Sequence, residues 1–229
     1  MCGISGFNWK NEKILTNMLD SINHRGPDDR GTYITENISL GHNRLSIIDL
    51  SKKGKNPIWN EDKTVCIIFN GEIYNYKKLT KKLKEKGHRF STNTDTECIL
   101  HGYEEYGEEI LKKLNGMFAF AIYNKTKNSL FLARDRLGMK PLYYYYKDDK
   151  FIFYCNHEHA GLDNIQSELD GRIERVVLYP SPGYMRRLCH GALPNFIIAL
   201  DRAFYVVIGC YLKMPFEIFH FFRLFRSQK

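Results

Sequence analysis

The chain has no CxxC pair: its six cysteines stand far apart, at positions 2, 66, 98, 155, 189 and 210 of 229. Such spacing offers neither a zinc motif nor a dense disulfide framework, and it suits a reducing, cytoplasmic compartment. No basic stretch leads into an apolar run at the start, Met-Cys-Gly-Ile-Ser-Gly, so no secretory leader is expected there. A bilayer-length apolar run is also missing. Within the Phe-, Ile-, Val- and Tyr-rich stretch from Phe196 to Phe225, the longest uncharged run is Ala203 to Leu212, and Asp201, Arg202, Lys213 and Glu217 interrupt any longer window. That argues against a membrane span and leaves a surface-lying amphipathic or aggregation-prone tail. No internal repeats occur.

What the chain does contain is ordinary for a folded soluble protein: 43% hydrophobic and 26% charged residues. The formal charge of +8 invites a nucleic-acid reading, but many of the lysines cluster between Lys77 and Lys86. On one helical stretch they make a solvated face, so nucleic acid is not an expected partner. Basic residue usage changes abruptly near Tyr154, with 19 Lys and 6 Arg before it and 2 Lys and 7 Arg after it. We therefore divide the chain into a domain over residues 1–154 and a divergent, irregular C-terminal extension over 155–229.

The front part is well punctuated. Short apolar runs at Val65 to Phe69, Met117 to Tyr123 and Ser129 to Ala133 read as strands separated by Gly, Asn, Asp and Lys turns. Two helices are predicted between them. The first runs from about Tyr74 to Lys86, with Tyr76, Leu79 and Leu83 on one face and Gly87 ending it. The second starts at Thr94-Asp95-Thr96-Glu97, a capping box in which Thr94 and Glu97 satisfy each other's backbone donors, and continues through Tyr103. Many strands with two adjacent helices predict an α+β layered sandwich.

Hydrolysing an amide at neutral pH needs a strong nucleophile, a base, and donors for the oxyanion. Cys2 can supply the first two once Met1 is removed, because a free α-amine (reference pKa about 8) can take the proton of its own thiol (about 8.5). Phe69-Asn70-Gly71-Glu72-Ile73-Tyr74-Asn75 follows an apolar run and precedes a helix, where a backbone turn can aim N–H groups into a cleft. In that reading Gly71 admits a close ligand, and the Asn70 amide joins the Gly71 N–H as an oxyanion hole. His42, His88 and His101 show no metal-ligand spacing and read as structural or exposed, so no metal is expected.

Six blocks stand in order: Cys2-Gly3-Ile4; His24-Arg25-Gly26-Pro27-Asp28-Asp29; Gly41-His42-Asn43-Arg44-Leu45-Ser46-Ile47-Ile48-Asp49; Asn70 to Asn75; Thr94 to Glu97; and Arg134 to Tyr144. Together they resemble the class II glutamine amidotransferase domain of glutamine-dependent asparagine synthetases, over residues 2 to about 153. The resemblance implies an N-terminal-nucleophile hydrolase fold, a four-layer αββα sandwich, with L-glutamine as substrate. It implies that Arg44 holds the glutamine α-carboxylate, that Asp95 helped by Glu72 holds the α-ammonium, and that the Leu45, Ser46, Ile47 and Ile48 backbone walls the pocket. The His24 to Asp29 block would shape that pocket. Arg134 to Tyr144, read as strand, turn and strand, would be a fold and interdomain signature without catalytic machinery.

The Ser-Gly-Gly-x-Asp-Ser phosphate loop of the family's synthetase domain does not occur. Nor does the family pattern continue after Tyr154. This predicts a truncated or rearranged product able to supply only the ammonia half of asparagine formation, needing no cofactor itself, since ATP and Mg belong to the synthetase domain. Two rivals stay open. One is a catalytically silent fragment or interaction module docking on a separate synthetase subunit; the other is a glutaminase serving an amino-sugar or phosphoribosyl enzyme.

Overall fold

The computed structural model describes residues 1–147 and 149–155, together with the short strands at 176–177, 196–200 and 204–206. Apart from those strands, the extension beyond 155, including the expected amphipathic stretch, lies outside the described residues.

Two sheets stack face to face. The first has the order β10-β8-β9-β1-β3-β2, formed by Val176–Val177, Tyr143–Lys147, Lys150–Cys155, Gly3–Phe7, Ile38–Arg44 and Asp29–Thr35. The second has the order β12-β11-β7-β6-β5-β4, formed by Phe204–Val206, Phe196–Leu200, Ser129–Arg134, Gly116–Asn124, Val65–Ile73 and Ile58–Trp59. Pairing is antiparallel throughout except where β11 runs parallel to β7. The strands read as continuous apolar runs because both of their faces are covered. In β9, for example, Phe151, Phe153 and Cys155 join the layer between the sheets, while Ile152 and Tyr154 face the outer helix layer.

Helices close both outer faces. Helix α1 (Glu12–Ser21) buries Ile14, Leu15, Met18 and Leu19 against the first sheet, and Asn11 caps it by accepting the Ile14 N–H at 2.9 Å. Helices α2 (Tyr76–Glu85) and α3 (Asp95–Tyr106) cover the second sheet, packing Leu79, Leu83, Cys98, Ile99 and Leu100 onto Phe69, Phe118, Phe120 and Ile122. The order helix, sheet, sheet, helices is the expected four-layer αββα sandwich. Each fully buried side chain of this kind contributes roughly 1.5–3 kcal/mol of transfer free energy.

Gly87 ends α2 as the sequence predicts. Its φ is +100°, and it sets a Schellman closure in which its own N–H donates to Lys84 O and that of His88 to Leu83 O. The capping box is half correct. Thr94 Oγ1 accepts the Glu97 N–H at 3.3 Å, but the Glu97 carboxylate reaches past Thr94 to the Ser91 and Thr92 N–H groups at 2.8 and 2.7 Å. Helix α1 is not foreseen by the two-helix reading, because its four apolar residues are interleaved with Lys13, Thr16, Asn17 and Asp20.

Three further differences bear on the site. The Asn70-Gly71-Glu72 segment is not a turn: β5 continues through it, pairing Asn70 with Ala119, Gly71 with Phe118 and Glu72 with Met117. Glycine at 71 is required by the neighbouring strand and not by a ligand, since a Cβ there would lie 2.2 Å from Met117 O and 2.7 Å from Phe118 Cα. We expect Gly71→Ala to destabilise the domain by about 2–3 kcal/mol through that overpacking, read as a lower urea midpoint at unchanged slope. Second, β9 runs to Cys155, which is fully buried, so that strand ends one residue past the boundary drawn from composition, and β10, β11 and β12 beyond it pair with the two sheets. Third, the strands flanking Gly138, β7 and β8, belong to different sheets, so the Arg134 to Tyr144 block crosses between them.

Candidate active site

Cys2 immediately precedes β1, and β1 pairs with β3 so that Gly3 opposes Asn43 and Ile4 opposes His42. That register brings Cys2 to the end of β3, where its Sγ accepts the Leu45 N–H at 3.3 Å and lies 3.7 Å from Leu45 O. A cleft opens there between the two sheets. It is lined by Met1, Cys2, Arg44, Leu45, Ile47, Ile48, Asn70, Gly71, Glu72, Asp95, Met117 and Lys140. Burial pushes the Cys2 thiol up, an effect opposed by the Leu45 N–H, the terminal amine and Arg44. Met1 is present in this structure, so the amine near the thiol is that of Met1, lowered chiefly by burial.

Arg44 is almost fully buried, which is costly unless its guanidinium is engaged. Nη1 donates to Ser51 O at 2.8 Å and Nη2 to Asp49 O, leaving further N–H groups of the five free to bind an anion. The loop holding it is itself fixed: Asp49 accepts the Ser51 N–H at 3.0 Å and the Asn93 N–H at 3.1 Å. Gly54 is needed beside it, because a Cβ there would lie 2.2 Å from Arg44 Nη2.

Asp95, in the first turn of α3, accepts the Ile73 N–H through Oδ2 at 2.9 Å and is 4% exposed. Burial pushes its carboxyl up to about 6 against these backbone donors, and nearby Glu72 adds to the rise. The cleft thus holds a buried carboxylate that a cation would stabilise. Ser46 does not line the cleft, unlike its neighbours; its N–H donates to Asp28 Oδ2 at 2.7 Å. In this way the His24 to Asp29 block anchors the pocket loop.

Asn70 lines the cleft and is 1% exposed, and its Nδ2 donates one hydrogen to Cys155 Sγ at 3.0 Å. Burial pushes the Cys155 thiol up to about 12, so it stays neutral, holding the Asn70 carboxamide while the second Nδ2 hydrogen is left over.

Sequence reasoning missed three residues here. Cys155 is assigned to the divergent extension, yet the Ile4 to Cys155 register of β1 and β9 places it under the site. Lys140 belongs to the block read as a fold signature, but it is 3% exposed and lines the cleft near Met1 Sδ. His42 is buried and lowered to about 4 by desolvation; its neutral ring donates from Nε2 to Phe69 O at 2.9 Å, bridging the two sheets beneath the cleft. The alternation of β3 puts His42 and Arg44 on one face, which is the signal that could have found it.

Two stacked sheets between helical layers, with a thiol before the first strand facing an inter-sheet cleft, define an N-terminal-nucleophile hydrolase architecture. Residues 1–179 match the glutamine amidotransferase domain family, and the chain belongs to it. It is 45% identical over 178 residues to asparagine synthetase [glutamine-hydrolyzing] 1 of Bacillus subtilis, covering 74% of this chain and 28% of that protein. With asparagine synthetase [glutamine-hydrolyzing] 2 of Arabidopsis thaliana it shares 43% over 145 residues, covering 63% and 25%. The chain thus spans about a quarter of the length of these relatives. Among solved structures, the glutamine phosphoribosylpyrophosphate amidotransferase of B. subtilis matches with a TM-score of 0.57 at 21% identity, covering 67% of this chain and 41% of that one. An allosteric regulatory enzyme of purine biosynthesis matches at 0.61 and 21%, covering 71% and 43%. At that identity the likeness concerns the fold. No helix among the described residues is long and apolar enough to cross a membrane.

Proposed function

We propose that the chain hydrolyses L-glutamine to glutamate and ammonia, with Cys2 as the nucleophile. The observation that carries this is the position of the Cys2 thiol at a cleft lined by both Arg44 and Asp95, a cation and an anion suited to the two ends of a free amino acid. Arg44 binds the α-carboxylate, and Asp95 with Glu72 the α-ammonium; Leu45, Ile47 and Ile48 form the wall. After loss of Met1, the Cys2 amine takes the thiol proton, and the thiolate attacks the side-chain amide carbon. Asn70 and the Gly71 N–H hold the oxyanion. The C–N bond breaks as the nitrogen takes up the proton, ammonia leaves, and water cleaves the thioester to glutamate and free thiol. The hydrolysis needs no cofactor; ATP and Mg enter only where ammonia is used, in an asparagine-forming synthetase unit.

The test is release of glutamate and ammonia in equal amounts from glutamine without ATP. The pH profile adds a sharper criterion. Asp95 binds an ammonium only when ionised, and burial pushes its carboxyl up to about 6. We therefore expect kcat/KM for glutamine to fall about tenfold per pH unit below pH 6, with the KM carrying the loss. An Asp95→Asn variant should start with the high KM and lose that limb. A profile flat between pH 5 and 7 would remove Asp95 from substrate binding.

A further inference from the structure

The other side of α3, away from the cleft, carries an unabsorbed cluster. His88 follows the Gly87 turn, while His101 and Glu104 stand three residues apart on α3; their ligand atoms lie within 4.8 Å of one another. The two histidines stand thirteen positions apart, so only the fold brings them together. His101 Nδ1 is 2.7 Å and His88 Nδ1 3.9 Å from the same oxygen, Glu104 Oε2.

The geometry points to a divalent-metal site of the zinc type, with His88 Nδ1, His101 Nδ1 and Glu104 Oε2 as ligands and water completing the shell. Donor atoms about 2.1 Å from a tetrahedral ion lie about 3.4 Å apart, and the two observed separations flank that value. Closing the set opens the first separation by about 0.7 Å and shortens the second by about 0.5 Å, with no two ligand atoms starting more than 4.8 Å apart. The surroundings match what metal-bound histidine and carboxylate need. His88 Nε2 is 3.2 Å from Glu105 Oε2 and His101 Nε2 is 3.7 Å from Glu97 Oε1, so each ring has a carboxylate behind it. The outer oxygen of Glu104 accepts Asn60 Nδ2 at 2.6 Å, which fixes its orientation.

The cluster is also short of positive charge. Three glutamates face two histidines, with Lys86 Nζ bonded to Glu105 at the rim. His101 is buried, with its Nε2 lacking a hydrogen-bond partner, and its carboxylate neighbours outweigh burial to push it up to about 9. The partial exposure of His88 and Glu104 provides the entry path. Because α3 also carries Asp95, the ion would brace the helix that presents the cleft carboxylate.

The test uses the full 229-residue chain with Cys2→Ala, so that the terminal thiol does not compete, stripped with chelator and titrated with Co²⁺ and Zn²⁺. We expect one more equivalent bound than in the same protein carrying His88→Gln or Glu104→Gln. The extra Co²⁺ should give visible d–d bands without a thiolate charge-transfer band and be displaced by Zn²⁺. Zinc at a hundredfold excess over its dissociation constant should raise Tm by about 5 °C or more in the parent and not in the variants. Equal stoichiometry and spectra in parent and both variants, with matching far-UV circular dichroism, would overturn the site. Glutamine hydrolysis is not part of this readout, so its failure leaves the result intact.

Discussion

Cys2→Ala is expected to abolish ammonia release while glutamine still binds. Loss of a catalytic nucleophile costs on the order of 10⁴-fold or more in kcat, because the groups of such a site act as a unit. The fold should tolerate the change. Cys2 precedes β1 and its sulphur hydrogen-bonds to the Leu45 backbone, whereas the residues that define the strand, Ile4 and Phe7, are fully buried. Glutamate production followed by a coupled dehydrogenase, with binding followed by calorimetry, separates the two effects. Turnover in the alanine variant within tenfold of the parent would end the nucleophile assignment. Intact mass is the companion measurement: with Met1 retained the amine belongs to the wrong residue, and the same chain should bind glutamine without hydrolysing it. That outcome is the one predicted by the silent-module reading.

The legible parts of the fold are those where one local signal decides. Gly87 must take a positive φ, Thr94 can accept an N–H from its own helix start, and the apolar runs at Val65 and Met117 have both faces covered. The αββα order itself came through resemblance, since no periodicity says which of two sheets a strand joins. What stayed hidden depends on partners distant in sequence. Asn-Gly-Glu is turn chemistry by composition, yet pairing with β6 extends the strand through it, and the glycine answers to Met117 O rather than to a ligand. Cys155 looks like the first residue of another text, because its meaning comes from Asn70, 85 positions earlier. Likewise His88 and His101 have no motif spacing; it takes the α2 turn and the α3 helix to aim both at Glu104. Arg44 and Asp95 were legible as pocket residues only through the resemblance of their blocks, since by composition one is a basic residue at a strand end and the other an acidic residue in a helix's first turn, where it would favour the helix dipole in any protein.

Asn70→Ala should lower kcat by about 10²–10³-fold with little change in KM, the cost of one oxyanion donor that matters only when charge develops on the substrate oxygen. The Asn70–Cys155 pair makes the prediction more specific. A carboxamide that can rotate is a poor preorganised donor, and here one Nδ2 hydrogen is tied to a buried sulphur at 3.0 Å. Cys155→Ala removes that restraint while keeping the donor, so kcat should fall by less, about tenfold, again with KM unchanged. Serine at the same position retains an acceptor of smaller size and should recover most of the loss. A merely structural Cys155 would behave differently: alanine and serine would then rank by cavity size and buried polarity in urea denaturation, and kcat would not follow whether position 155 can accept a hydrogen bond. If Asn70→Ala raised KM alone, Asn70 would be a ground-state contact to the amide, and the oxyanion role would pass to backbone donors.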